Sequence, residues 1–138
     1  MHDLIKSMKA LSDETRLRII NVLLDRECCV CEVMQSLDIS QSRASRNLGI
    51  LEDAGFLKAR RDGAWIVYSL DRDTANRYAT SLAELIKNAP PVSELLEKDK
   101  ERLKDAKRMG QGCAANPQLR GVVNGNVSYP AIGWSDCA

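Results

Sequence analysis

Three thiols fall within four residues at Cys28, Cys29 and Cys31. Thiolates are soft ligands that select soft or borderline ions, so the residue types and their crowding point to capture of a metal or metalloid. An ion that draws neighbouring residues together disturbs the backbone carrying them, and binding at such a run converts into a change of shape. Each residue of a regular helix advances about 100°, which sets positions 29 and 31 roughly 200° apart. On such a helix Cys29 and Cys31 share one ion only after it bends or unwinds. Enzyme chemistry is thinly represented: His2 is the single histidine, and there is no Ser-His-Asp set or glycine-rich phosphate loop, so few general bases are present. The chain is read as a non-enzyme.

The elements that must position these thiols follow from apolar spacing. Leu4, Ile5, Met8 and Leu11 recur at helical intervals up to Ser12-Asp13, a cap for a second helix that runs to about Leu24. In that helix Leu17, Ile20, Leu23 and Leu24 form the expected buried stripe, with Arg16 and Arg18 turned outward. Past the cysteines, Val30, Val33, Met34 and Leu37 mark a third helix of barely two turns, held by packing and broken at Asp38-Ile39-Ser40. Ser40 is the expected N-cap of a fourth helix that buries Ala44, Leu48 and Leu51 and stops at Gly55. That helix presents Ser42, Arg43, Ser45 and Arg46 outward.

Two short helices joined by a tight turn, the second carrying small polar and Arg residues, form a helix-turn-helix whose second helix enters the DNA major groove. From Phe56 to Leu70 the pattern turns extended around Asp62-Gly63, a favoured type I′ hairpin turn. With Arg60 and Arg61 near its tip this hairpin is the wing of a winged helix, placed to meet phosphate or the minor groove. The candidate DNA contacts are therefore Ser40, Gln41, Ser42, Arg43, Ser45, Arg46, Arg60 and Arg61. The net charge is only +1, but between Ser40 and Arg61 five cations stand against Glu52 and Asp53. Local charge facing the duplex is what neutralises phosphate.

A further helix is expected from Asp71-Arg72-Asp73, with Ala75, Tyr78, Ala79, Leu82, Leu85 and Ile86 as an apolar face assigned to dimerisation, ending at Pro90-Pro91. From Val92 to Met109 another helix follows, with ten charged residues among the twelve from Glu97 to Arg108, expected to be solvated or a helical arm. The last 29 residues carry five glycines, two prolines and only Arg120 and Asp136 as charges, the pattern of a loose tail. The organisation is thus a domain over 1–90, a charged helical extension over 91–109 and a Gly-rich tail over 110–138. The fold class is mainly α with a small β-hairpin, a winged helix-turn-helix dimeric through terminal helices.

Composition agrees with this reading. Hydrophobic content of 44% and charged content of 28% are those of a globular chain, and aromatics at 4% leave the core to aliphatic residues. No run reaches the roughly eighteen apolar residues of a membrane span, and no secretory signal pattern opens the chain. A cytoplasmic location is expected, where clustered cysteines serve as ligands or redox sensors and not as a disulfide framework.

Taken together, the run Glu27-Cys28-Cys29-Val30-Cys31-Glu32-Val33, the helix start Ile39-Ser40-Gln41-Ser42-Arg43-Ala44-Ser45-Arg46-Asn47-Leu48, the stretch Leu51-Glu52-Asp53-Ala54-Gly55-Phe56-Leu57 and the hairpin Arg60-Arg61-Asp62-Gly63-Ala64-Trp65-Ile66-Val67-Tyr68 resemble the ArsR/SmtB metalloregulatory repressors over about residues 1–90. The resemblance implies a homodimeric winged-helix repressor that occupies double-stranded operator DNA when metal-free and leaves when its inducer binds. Cys29-Val30-Cys31 is similar to the site of arsenite and antimonite sensors, which implies As(III) or Sb(III) as inducer, no organic cofactor, and arsenical resistance genes as the regulated targets. Those sensors carry a third cysteine where this chain has Met34. Cys28 is the first candidate for the missing ligand, with Cys113 or Cys137 as rivals. The family's cadmium and lead sensors add thiolates from an N-terminal arm, and no cysteine precedes the first helix here. Its zinc sensors use a His- and carboxylate-rich site on the last dimer helix, where Asp73 and Glu84 lack imidazole companions. A thiol-based redox or persulfide sensor, using a low-pKa thiolate beside Arg26, and a cadmium or lead sensor are the alternatives on the same scaffold.

Overall fold

A computed structural model describes residues 1–109; the expectations for 110–138, including those for Cys113 and Cys137, lie outside the described residues. The elements run α1 (His2–Leu11), α2 (Glu14–Asp25), β1 (Cys28–Cys29), α3 (Val30–Leu37), α4 (Gln41–Asp53), β2 (Leu57–Asp62), β3 (Trp65–Leu70), α5 (Arg77–Asn88) and α6 (Glu94–Asp105). The three strands form one antiparallel sheet in the order β1-β3-β2. This is a winged helix-turn-helix: α3 and α4 are the helix pair, and β2 and β3 are the wing.

Local chemistry sets most of the boundaries. Asp13 caps α2, its carboxylate accepting from the Arg16 N–H at 3.1 Å. Asp38 ends α3 in the left-handed region at φ 55°, a conformation Asp tolerates better than most residues. Ser40 Oγ then accepts from the Arg43 N–H at 3.2 Å and starts α4. At the other end Gly55 sits at φ 90°, its N–H bonded to Glu52 O and the Phe56 N–H bonded to Leu51 O. This pair of bonds is a Schellman motif.

The core joins α2, α3, α4 and the sheet through Ile19, Ile20, Val30, Val33, Leu37, Leu48, Leu51 and Phe56, all buried. Three features depart from the sequence expectation. The wing turn is Gly63-Ala64, because Asp62 pairs with Trp65, and only Gly63 of the two has positive φ; one such residue in first position suits type II′ and not type I′. Helix α5 begins after Asn76, whose side chain accepts from the Tyr78 N–H at 3.1 Å. The acidic run before it makes a local turn, with the Asp73 N–H donating to Asp71 Oδ1 at 3.0 Å. Lastly, Arg18 does not face water and Arg16 is half-buried. Arg16 Nε donates to Ala10 O at 2.6 Å, and Arg18 is buried against Asp99 of α6. The charged α6 is accordingly docked along α2 and α3 with Leu103, Ala106 and Asp99 buried.

Candidate functional site

The three cysteines occupy a strand and the first turn of a helix. Cys28 and Cys29 form β1, paired in register with Tyr68 and Val67 of β3, and Cys31 lies one residue inside α3. Two consecutive strand residues point to opposite faces of the sheet. All three cysteines are 0% exposed. Among the described residues no group of three or more His, Cys, Asp or Glu side chains stands ready to hold a metal ion. The residues supply three soft donors in four positions, and gathering them on one ion requires β1 or the α3 start to leave its observed conformation.

Electrostatics at the site favour neutral thiols. Burial pushes Cys28 from the ordinary value of 9.0 up to about 12, opposed in part by the Arg26 charge. Burial likewise pushes Cys29 up to about 12. The low-pKa thiolate required by the redox alternative is not what this chain holds at either position. Cys28 Sγ donates to Arg26 O at 3.6 Å.

Two residues missed in the sequence reading hold the cysteine segment. Glu32 Oε1 accepts from the Cys29 N–H at 2.9 Å, while Glu32 Oε2 takes Arg26 Nη1 at 2.8 Å. The spacing of three from Cys29 to Glu32 is the capping-box signal that would have revealed the first bond. Gln35 Nε2 donates to Cys31 O at 3.0 Å. Met34 is half-buried against the core.

A direct link runs from the thiols to the wing. Glu27, the residue before β1, pairs with Arg60 of β2, and Arg60 in turn stands opposite Val67, the β3 residue that pairs with Cys29. The cysteine segment and the wing are therefore one sheet.

The candidate DNA contacts separate into committed and uncommitted groups. Ser42, Arg43 and Arg46 on α4 and Arg60 and Arg61 on β2 are exposed, Ser40 is exposed at the cap, Ser45 is half-buried and Gln41 is buried. Gln41 Nε2 donates to Ser45 Oγ at 2.7 Å, a bond that shapes the helix start. Arg43 Nη2 donates to Thr15 Oγ1 at 2.8 Å. Arg46 and Arg61 make no hydrogen bond or ion pair among the described residues. Asp73 and Glu84 do not converge on an ion: Glu84 accepts from Arg72 Nη1 at 2.9 Å, and His2 is exposed at the other end of the chain.

Residues 13–59 match the model of the family "Bacterial regulatory protein, arsR family". The chain is 44% identical over 70 residues to the cadmium resistance transcriptional regulatory protein CadC homolog of Staphylococcus aureus, covering 50% of this chain and 58% of that protein. It is 43% identical over 67 residues to the arsenical resistance operon repressor of Escherichia coli K12, covering 48% and 57%. With the arsenical resistance operon repressor of Bacillus subtilis it shares 35% over 72 residues, covering 51% and 69%. The match thus spans about half to two thirds of the length of these relatives. Among solved structures, the transcriptional repressor BigR from Xylella fastidiosa superposes with a TM-score of 0.54 at 27% identity, over 67% of this chain and 91% of that one. Reduced HlyU from Vibrio cholerae N16961 gives 0.55 at 27%, over 65% and 92%. Helix pair, wing and sequence agree, and the chain, with its winged-helix fold, belongs to the arsR family of bacterial regulatory proteins.

Proposed function

We propose that this repressor occupies operator DNA as a metal-free homodimer in the cytoplasm and is released when As(III) or Sb(III) is held by Cys28, Cys29 and Cys31, derepressing arsenical resistance genes. One observation carries the reading: the two residues of β1 are thiols, and β1 is hydrogen-bonded to the wing strand. Three thiolates are the donor set a soft trivalent ion requires. The chain's own part is mechanical. Cys28 and Cys29 are held by β3, and Cys31 by the first turn of α3, so bringing the three sulfurs together strains the seam that sets both the wing and the angle of α4.

The dimer is supported by apolar side chains left outside the protomer. Ile5 and Met8 on α1 are 45% and 54% exposed, and Leu85 on the neighbouring α5 is 59% exposed. These flank a packed α1–α5 pair and suit a second copy. Two recognition helices then have to meet grooves about 34 Å apart, so a small rotation spoils the fit. Taking the operator from 99% to 1% occupancy requires inducer binding to favour the released state by about 5.5 kcal/mol. Ser40, Ser42, Ser45, Arg43 and Arg46 are the proposed groove contacts and Arg60 and Arg61 the wing contacts, with Gln41 shaping the helix start.

The test is an operator-release titration with arsenite, antimonite, cadmium, lead and zinc on the full chain, repeated on serine variants at each of the five cysteines. Release by arsenite that disappears in the Cys28→Ser, Cys29→Ser and Cys31→Ser variants is the expected result. An inducer-loaded dimer that holds operator as tightly as the metal-free one at matched salt sinks the proposal.

A further inference from the structure

We infer that α6 is a lid over the cysteine segment, closed by Arg26 and Gln35, which lifts before any ion or reagent reaches Cys28 and Cys29. The inference rests on the thiol-sensing reading for its purpose but not for its geometry. Arg26 and Gln35 are the latches of the closed state. Arg26 Nη2 donates to Leu103 O at 3.1 Å in the last turn of α6 and to Ala106 O at 3.3 Å just past its end, while its Nη1 holds Glu32 and, at 3.3 Å, Glu27 O. Gln35 spans the same seam: Nε2 donates to Lys107 O at 2.6 Å and Oε1 accepts from the Lys107 N–H at 3.1 Å, and the same Nε2 donates to Cys31 O. Each side chain therefore ties one end of the cysteine segment to the end of α6.

What fastens α6 is mostly polar, which makes it easy to lift. Its buried residues are Asp99 and Leu103, with Ala106 just beyond it. Asp99 meets Arg18 and Arg102, Ser36 Oγ donates to Asp99 O, and Arg102 Nε donates to Ser36 O. When the helix lifts, each of these groups recovers water, and the net stabilisation from a hydrogen bond or buried ion pair is small compared with its gross strength. The connection from α5 is built for movement: residues 89–93 form no helix or strand, and Val92 is fully exposed. Elements with few buried apolar contacts open locally ahead of the global unfolding reaction. The lid also reaches the wing, since Arg108 Nη1 donates to Asp62 Oδ2 at 2.9 Å and its guanidinium lies 5.3 Å from the Trp65 ring centroid.

The experiment measures iodoacetamide labelling of Cys28 and Cys29 by peptide-resolved mass spectrometry on the reduced full chain, in parallel with amide exchange of α6. In the wild type, urea below the unfolding transition is expected to speed labelling and α6 exchange together, ahead of exchange in α2. A Gln35→Ala, Arg102→Ala double variant is expected to label about tenfold faster or more at both cysteines. Labelling that keeps pace only with global unfolding overturns the lid, as does an unchanged rate in a variant that folds. Addition of arsenite separates the two readings. Fast labelling in the variant with no arsenite binding leaves the lid standing and removes the inducer; arsenite binding with α6 exchange unaltered and labelling tied to global unfolding does the reverse.

Discussion

The Asp99 carboxylate of α6 accepts from Arg18 at both oxygens, Nε to Oδ2 and Nη2 to Oδ1, each at 2.8 Å. Asp99 is 0% exposed and Arg18 is 8% exposed, so removing one partner strands a buried charge. Asp99→Ala is expected to weaken α6 docking by about 3–5 kcal/mol. The loss falls on α6, seen as faster amide exchange there, and the global urea transition shifts only by the docking energy of that helix. An Arg18→Met, Asp99→Leu pair of similar volume recovers most of it. Unchanged α6 exchange in Asp99→Ala contradicts the assignment.

The thiols predict a pH dependence with a definite sign. Burial raises Cys28 and Cys29 to about 12, while the unfolded chain titrates at the ordinary value of 9.0. The folded state therefore holds protons that the unfolded state has lost between these limits. Stability is fully present below pH 9 and declines as pH rises toward 12, by about 1 kcal/mol per pH unit for each thiol. Urea midpoints at pH 7, 9 and 10.5 measure it. Cys29→Ala is expected to flatten the decline relative to the wild type by one thiol's share, and parallel curves for the two proteins refute the assignment.

Gly55 is fixed by two constraints at once. It holds φ 90°, and a Cβ built there stands 2.7 Å from Thr74 Oγ1 and 3.1 Å from Asn76 Cβ. Asn76 Nδ2 in turn donates to Ala54 O at 2.9 Å and Ser7 Oγ at 2.7 Å, so the neighbours are themselves tied. Gly55→Ala is expected to cost about 1–3 kcal/mol of stability from strain alone, with a further loss from the clash. A thermal midpoint equal to the wild type counts against it.

The features readable along the chain are those set by neighbours in sequence. Asp38, Ser40 and Gly55 mark the ends of α3 and α4 because capping is decided within a few residues. The two-residue β1 was not readable, since its existence depends on β3 some forty positions away. Arg18 looked like a solvent-facing residue because its partner, Asp99, is 81 positions distant and sits in a run of charges that reads as a solvated face. At the thiol site the donors were legible from their spacing. Their complete burial was not, because it is imposed by the packing of β3 on β1 and of α6 on α3.

Glu27 and Arg60 join the cysteine segment to the wing, and both side chains are about half exposed. A pair so placed contributes little to stability, so its effect is on where Arg60 can go. Glu27→Gln is expected to free Arg60 for phosphate and to tighten metal-free operator binding about two- to fivefold at low salt. Fluorescence anisotropy with a labelled operator reads this, and an Arg60→Ala, Glu27→Gln pair should abolish the gain. Weaker binding in Glu27→Gln would mean that the pair positions the wing and does not restrain Arg60.

Arg46 and Arg61 differ from Arg43 and Arg60 in having no intramolecular partner among the described residues, so their guanidinium groups meet DNA without first breaking a bond. Arg43 holds Thr15 of α2, and its removal disturbs the α2–α4 seam as well as any contact with the duplex. Arg46→Ala is therefore expected to weaken operator binding by about 1–3 kcal/mol at unchanged thermal stability. If Arg46 reads a base edge, the loss shrinks on scrambled DNA and the salt slope stays put. Arg61→Ala on the wing is expected to weaken binding on both sequences alike and to lower the slope of log K against log salt by about 0.9, the signature of one phosphate contact. Arg43→Ala combines a binding loss with a drop in thermal midpoint. Identical salt slopes and sequence preferences for Arg46→Ala and Arg61→Ala would place both residues on the backbone and leave base reading to the serines of α4.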